Sequence, residues 1–81
     1  MRVKVLLFAR LKDIAGSAEL KRVVAADTTI GDVWRALARE FPEFAPYGQS
    51  ISSALNADYA RMEAELRDGD EVAFLPPVSG G

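Results

Sequence analysis

Cysteine and histidine are both absent from the 81 residues of this chain. Without them the chain can form no disulfide and cannot supply the thiolate and imidazole ligands of structural zinc sites. Cysteine nucleophiles and serine–histidine triads are excluded for the same reason. Any chemistry carried by this chain must therefore use carboxylates, amines, hydroxyl groups or a chain terminus.

A strong net charge and long apolar runs are missing as well. The formal net charge is only −2, and the basic residues are scattered, which argues against nucleic-acid binding. No apolar run approaches the roughly 20 residues that cross a bilayer, and the start of the chain does not read as a signal peptide. We therefore expect a cytoplasmic protein that binds neither membrane nor nucleic acid.

What is present fits an ordinary small globular protein. Hydrophobic residues make up 49% of the chain and charged residues 27%, which is typical of soluble domains. No repeat or linker divides the sequence, so we expect a single domain over residues 1–81.

The first predicted strand, residues 2–9, has two faces of different character. Side-chain alternation places three apolar residues on its core face: Val3, Val5 and Leu7. The opposite face begins with charged residues but ends with Leu6 and Phe8. A face that meets only water would not normally end in two large apolar side chains.

The clearest helix opens at Thr29 and ends at Phe41, before Pro42. Apolar residues recur on one face at helical spacing, which predicts packing against a sheet and places Trp34 in the core. Asp32, three residues after Thr29, resembles a capping box. Pro42 ends the helix because its ring disfavours the helical conformation of the residue before it.

The remaining segments complete an α+β architecture. We predict a short helix at residues 10–15, a loop at 42–50, and strands at 18–24, 51–56, 59–61 and 71–75. This order predicts a β-grasp fold, in which a mixed sheet of about five strands carries one main helix across one face. The first and last strands would lie side by side and parallel, which places Leu6 and Phe8 next to Leu75 in an apolar docking patch.

Acidic residues near the last strand do not indicate a metal site. Asp68, Asp70 and Glu71 surround Gly69, but the chain is predicted to become a strand where a calcium loop would need further ligands. Turn chemistry explains these residues better, and we expect no bound metal.

The C-terminal segment, residues 76–81, is predicted to be an extended, flexible tail. Pro76 and Pro77 cannot continue a sheet ladder. The residues after them are small, and they are Val78, Ser79, Gly80 and Gly81. Such a tail suits insertion into a narrow site of another protein, although small, mobile termini without a function are also common.

Four segments resemble the small, sulfur-carrier subunit of molybdopterin synthase, a ubiquitin-like family. They are residues 3–11, 29–33, 55–59 and, above all, 68–81, which ends Phe-Leu-Pro-Pro-Val-Ser-Gly-Gly. The resemblance implies that an activating enzyme uses ATP to adenylate the Gly81 carboxylate, which is then converted to a thiocarboxylate. That sulfur would convert cyclic pyranopterin monophosphate into molybdopterin, the dithiolene of the molybdenum cofactor.

The resemblance also implies partners and site residues. A large synthase subunit would receive the tail in a heterotetramer, and a sulfur donor protein would load it. The carrier would bind no cofactor and would not be catalytic alone. Phe8 and Leu75 match docking positions of the family, whereas Leu6 follows from alternation.

Three alternatives stay open at this stage. The chain could be a Gly-Gly sulfur carrier for another pathway, such as thiamin synthesis. It could be a ubiquitin-like modifier conjugated to lysines through Gly81. It could also be an interaction module with an inert tail.

Overall fold

A mixed β-sheet with one main helix across it makes up the computed structural model, which describes residues 1–77. The predictions for Val78, Ser79, Gly80 and Gly81 therefore lie outside the described residues. In the described part the strands, in sheet order, are β2 (Glu19–Val23), β1 (Arg2–Leu7), β5 (Glu71–Leu75), β3 (Ser52–Leu55) and β4 (Asp58–Tyr59). The helices are α1 (Ala9–Ala15), α2 (Ile30–Glu40) and a 3₁₀ helix (Pro42–Tyr47).

The centre of the sheet is the parallel pair β1 and β5, as the element order predicted. Val5 lies opposite Val72, and Leu7 opposite Phe74. The other neighbouring strands pair antiparallel. The β-grasp prediction is confirmed.

The core lies between the sheet and α2 and contains aromatic rings from three elements. Trp34 of α2 is 7% exposed, and its ring lies 5.1 Å from that of Phe74 and 5.4 Å from that of Phe44, measured between centroids. The core position predicted for Trp34 is confirmed. Because Trp34 is the single tryptophan, its fluorescence reports on the packing of this core.

Helix α2 begins with a complete capping box. The Thr29 hydroxyl accepts a hydrogen bond from the Asp32 N–H at 3.1 Å, and the Thr29 N–H donates to the Asp32 carboxylate at 3.0 Å. Two N–H groups of the first turn that the helix leaves unpaired are satisfied by a neighbouring segment: Ile30 donates to the Ala64 carbonyl and Gly31 to the Met62 carbonyl. The helix start is therefore fixed from both sides.

Acid should weaken the native state partly through Asp32. The Thr29 N–H, followed by the Arg35 guanidinium, holds the pKa of this carboxyl below its usual value. Such a carboxylate stabilises the fold above its unfolded pKa, near about 4, and that contribution is lost as the pH falls through the lower folded value. Asp32→Asn should therefore flatten the loss of unfolding free energy below about pH 4. Urea unfolding followed by Trp34 fluorescence at several pH values measures this slope, and equal slopes for variant and wild type would contradict the prediction.

The prediction of a loop over residues 42–50 is wrong for its first part. A 3₁₀ helix occupies Pro42–Tyr47. Its residue Phe44 is fully buried and stacks against Phe41 at 5.2 Å. The three-residue spacing of Phe41, Phe44 and Tyr47 places these side chains on one side of a 3₁₀ helix, so that they pack towards the core.

Strand ends differ from the predictions by one or two residues, and the end of β1 has a clear cause. The predicted strand ran through Ala9, but β1 ends at Leu7. Phe8 keeps extended dihedral angles, and Ala9 has a positive φ of 52° that turns the chain into α1. Leu11 of α1 is then fully buried. Its burial favours the turn in spite of the unfavourable backbone at Ala9.

The hairpin between β3 and β4 also contains unfavourable backbone. Its two loop residues, Asn56 and Ala57, have φ values of 50° and 75°, the signature of a type I′ turn, for which Asn-Gly is preferred. Ala57→Gly should raise the free energy of unfolding by about 0.5–1 kcal/mol, because glycine removes the steric cost of a positive φ. Urea unfolding of the variant and the wild type measures this change in the free energy of unfolding. Ala36→Gly, at an exposed helical site, is the matched control and should lower the free energy of unfolding by about 1 kcal/mol. A lower free energy of unfolding for Ala57→Gly would contradict the prediction.

The acidic residues before β5 accept hydrogen bonds from their own turn, from β1 and from the turn between β3 and β4. Asp68 accepts from the Arg2 N–H at 2.7 Å, and Asp70 accepts from the Arg67 N–H at 2.8 Å and the Asn56 side chain at 3.0 Å. These contacts agree with turn chemistry. Residues 1–77 hold no cluster of three potential metal ligands, and no helix among them is long and apolar enough to span a membrane.

Candidate docking surface and C-terminal tail

The sheet face opposite α2 has an apolar row that crosses four strands. Strand register aligns Leu6 of β1 with Ala73 of β5, Ala73 with Ala54 of β3, and Ala54 with Tyr59 of β4. None of these four side chains belongs to the core cluster or packs against it. Leu6, Ala73 and Tyr59 are partly or largely exposed, whereas Ala54 is buried, and the row forms a face that the core cluster does not use.

A second row of residues on this face lies towards the C-terminal end of β5. Leu75 is aligned with Ser52 and is half-buried. Phe8 follows Leu7, the partner of Phe74, so its extended backbone continues to the level of Leu75. Phe8 is 43% exposed, which is unusual for a phenylalanine.

We call these six residues the apolar patch: Leu6, Phe8, Ala54, Tyr59, Ala73 and Leu75. The structure thus brings together Leu6, Phe8 and Leu75, as strand alternation predicted. Their role in docking is a separate matter and stays a prediction.

Sequence reasoning missed Ala54 and, with a much larger side chain, Tyr59. Its side chain is 83% exposed, although it lies in a strand paired with buried Ala54. The sequence around Tyr59 indicates only a short β-prone segment after a turn. The face on which Tyr59 lies depends on register between β3 and β4, which the turn at residues 56 and 57 sets.

A charged band borders the patch on β1. The Lys4 ammonium lies 3.6 Å from the Glu19 carboxylate and 3.8 Å from that of Glu71. All three side chains are more than a third exposed, so these ion pairs contribute little to stability. They do place a polar rim beside an apolar centre, the usual anatomy of a protein interface.

The tail leaves the sheet directly beside the patch. Leu75 is the last residue of β5, Pro76 is half-buried and Pro77 is exposed. Proline has no N–H to donate to a sheet, so Pro76 and Pro77 prevent β5 from continuing beyond Leu75. A partner that binds the patch would therefore meet the start of residues 76–81.

The apolar patch and its charged border offer binding and orientation. The charged side chains of the border are paired, because Lys4 forms ion pairs with both Glu19 and Glu71. What this face can do chemically is bind a complementary apolar surface and fix the position from which the tail extends.

Comparison with known proteins gives the family. Residues 5–81 match the model of the ThiS family. The chain is 32% identical over 81 residues to the molybdopterin synthase sulfur carrier subunit of Arabidopsis thaliana, which covers 100% of this chain and 84% of the relative. It is 36% identical over 83 residues to small archaeal modifier protein 1 of Haloferax volcanii, which covers 93% of this chain and 95% of the relative.

Solved structures agree. The crystal structure of SAMP1 from Haloferax volcanii superposes with a TM-score of 0.82 at 32% identity and covers 100% of both chains. A chain in the complex of subunits 1 and 2 of the molybdopterin-converting factor from Helicobacter pylori gives a TM-score of 0.69 at 26% identity, again over 100% of both chains. The family resemblance of the sequence is thus confirmed, and the chain belongs to the ThiS family, with molybdopterin synthase sulfur carrier subunits among its full-length relatives.

Proposed function

We propose that this protein is the sulfur carrier of a molybdopterin synthase and that Gly81 bears the transferred sulfur as a C-terminal thiocarboxylate. The observation that carries the proposal is that the apolar patch lies where residues 76–81 leave the sheet. Leu75 belongs to both, because it is a patch residue and the last residue before Pro76. Docking through the patch would thereby fix where the tail begins.

The loading step needs an activated carboxylate. A carboxylate is a poor electrophile because its oxygen is a poor leaving group. Attack of the Gly81 carboxylate on the α-phosphate of ATP releases pyrophosphate and gives an acyl-adenylate. The terminal sulfur of a persulfide on a donor protein then attacks the acyl carbon and displaces AMP, which gives an acyl disulfide between Gly81 and the donor. A thiol reduces the S–S bond and is itself oxidised to a disulfide, and the thiocarboxylate is left on Gly81.

The delivery step uses the nucleophilic sulfur of the thiocarboxylate. In the proposed reaction the sulfur attacks a carbon of cyclic pyranopterin monophosphate and displaces the oxygen substituent of that carbon. Hydrolysis of the acyl C–S bond of the resulting thioester leaves the sulfur on the pterin and returns the carboxylate of Gly81. A dithiolene contains two sulfur atoms, so each product molecule requires two transfers. Residues 1–77 provide the docking surface, and the large subunit would supply the groups that hold the precursor.

The composition of the tail suits this task. Gly80 and Gly81 lack a Cβ, so the backbone can approach a buried reaction centre closely. Pro76 and Pro77 restrict the free tail and reduce the conformational entropy lost when Val78 and the residues after it enter a site.

Partners follow from the same proposal. The Helicobacter pylori relative lies in a complex with subunit 2 of the converting factor, which supports a large-subunit partner for the present chain. An ATP-dependent activating enzyme and a sulfur donor protein are required by the chemistry. On this proposal the chain is a subunit that is not catalytic alone and that acts in molybdenum cofactor biosynthesis.

Intact-mass analysis tests the loading step. The protein is incubated with an activating enzyme, ATP and a sulfur donor, and we expect a gain of about 16 Da, one oxygen replaced by sulfur, mapped to Gly81. Omission of ATP is the control. Failure to form this species with an enzyme that loads another carrier would overturn the proposal. Adding the large subunit and precursor then distinguishes molybdopterin synthesis from another sulfur pathway.

Protein modification is the second candidate, supported by the 36% identity to small archaeal modifier protein 1. It shares the adenylation step but ends with attack by a lysine amine, which forms an isopeptide bond to Gly81 and releases the activating group. Arg67 is the last basic residue of the chain, so trypsin would leave residues 68–81 attached to a modified lysine. Peptide mapping for lysines that carry this segment distinguishes modification from sulfur transfer.

A further inference from the structure

Strand β2 forms one edge of the sheet, and part of that edge is unpaired. Met1 and Val24 exchange both backbone hydrogen bonds, at 2.8 Å each. Hydrogen-bonded pairs in an antiparallel ladder alternate with non-hydrogen-bonded pairs. The backbone groups of Glu19, Lys21 and Val23 therefore point away from β1, towards the outside of the sheet.

The outward groups at the start of β2 are already satisfied. The Ser17 hydroxyl donates to the Glu19 carbonyl at 2.7 Å and accepts from the Glu19 N–H at 3.3 Å. Within residues 1–77 no comparable hydrogen bond reaches the outward groups of Lys21 and Val23. The available edge is consequently limited to these two residues.

The side chains at the free edge are also without partners in the described part of the chain. Val23 is 80% exposed. Lys21 lies directly opposite Lys4, a like-charge pair that is unfavourable across strands. Lys4 is compensated by Glu19 and Glu71, whereas no carboxylate among residues 1–77 forms an ion pair with Lys21.

A groove lies beside this edge and has cationic walls. Its volume is about 450 Å³, and its lining includes Arg2, Lys4, Lys21, Arg22 and Val23. Every charged residue of the lining is basic. The alkyl stems of such side chains can contact an apolar group while their charged ends remain in water.

We propose that the edge of β2 binds an extended segment of a partner protein by strand addition. The segment would bear an acidic side chain opposite Lys21 and, two positions away, an apolar side chain over Val23. Opposed residues share one face of a sheet, so both would lie on the groove side. The carboxylate would supply the counter-charge that Lys21 lacks within the described chain.

A second copy of this chain fits the edge poorly. Symmetric antiparallel pairing of two β2 strands about Lys21 would put the two Lys21 side chains opposite each other, which is unfavourable. Pairing Lys21 with Glu19 of a second copy would need the Glu19 backbone groups that Ser17 occupies. Lysine on an edge commonly prevents such self-association, and the same charge selects an acidic partner.

The test uses the full chain, labelled with ¹⁵N, and a blocked peptide with the sequence Val-Thr-Glu-Thr-Val-Thr-Glu. We expect amide shifts and slowed solvent exchange at Lys21 and Val23. Lys21→Glu should weaken binding roughly tenfold, because it replaces an attraction by a repulsion. A peptide with Lys in place of Glu should prefer this variant over wild type. Lys12→Glu, the same charge change on α1, should alter affinity less than twofold.

A second variant tests the backbone contribution. Val23→Pro removes an N–H that the sheet does not use, and proline is tolerated on edge strands. Binding should be lost while the Trp34 fluorescence of the folded protein is unchanged. The proposal is overturned if shifts appear only at the apolar patch, if Lys12→Glu and Lys21→Glu act equally, if Val23→Pro binds normally, or if millimolar peptide causes no shift. None of these results bears on sulfur loading at Gly81.

Discussion

Deletion of Gly81 should abolish thiocarboxylate formation and change the free energy of unfolding by less than about 0.5 kcal/mol. The reacting carboxylate would then belong to Gly80, one residue short of the position in which the activating enzyme must hold it. A displacement of this size removes most of the advantage of a positioned reactant. Stability should be retained because the buried core lies between Val3 and Phe74.

Two measurements separate loss of function from loss of fold. Intact mass records the oxygen-to-sulfur exchange, and Trp34 fluorescence during urea unfolding records stability. Ser79→Ala is the control, because it changes the tail but keeps Gly80 and Gly81. Normal loading of the protein without Gly81 would show that the terminal glycine is not the attachment point.

A negative charge at Phe8 should weaken binding to the large subunit by about 2–4 kcal/mol, or roughly 30- to 1,000-fold, if the patch is the docking surface. Phe8→Asp would place a carboxylate in an interface that excludes water, where a charge without a partner is costly. Phe8 is 43% exposed and outside the core cluster, so the fold should lose much less stability than the complex.

Isothermal titration calorimetry with the large subunit measures this effect. Ala36→Asp introduces the same charge on the exposed side of α2, opposite the patch, and should leave the affinity within about twofold. Tyr59→Asp should behave like Phe8→Asp, because strand register places both residues on one face. Wild-type affinity for the Phe8 and Tyr59 variants would exclude the patch as the interface.

Local patterns predicted α2 and the central strand pair well. Thr29 and Asp32 mark the start of α2 with a reciprocal cap, and Pro42 prevents its continuation, so both ends are determined by neighbouring residues. The parallel pairing of β1 and β5 followed from element order, since few arrangements bury one helix against such a sheet. Given this pairing, the alternation of side chains along each strand predicted that Leu6 and Leu75 lie on the same face of the sheet.

Features that depend on distant contacts could not be predicted in this way. Phe44 is fully buried, and its ring stacks on that of Trp34 at 5.4 Å, a contact between two elements that local sequence patterns do not reveal. Ala9 adopts a positive φ, which its own side chain disfavours. The exposure of Tyr59 depends on the register of a two-residue strand.

The parallel arrangement of β1 and β5 has a mechanical consequence. The tail continues from β5, and Lys4 to Leu7 of β1 are aligned with Glu71 to Phe74 along its length. A force that pulls residues 76–81 away from the domain would act along these strands and load their hydrogen bonds in shear, all at once rather than one after another. The domain should therefore resist unravelling when residues 76–81 are withdrawn from a site that binds them tightly, as the proposed function would require.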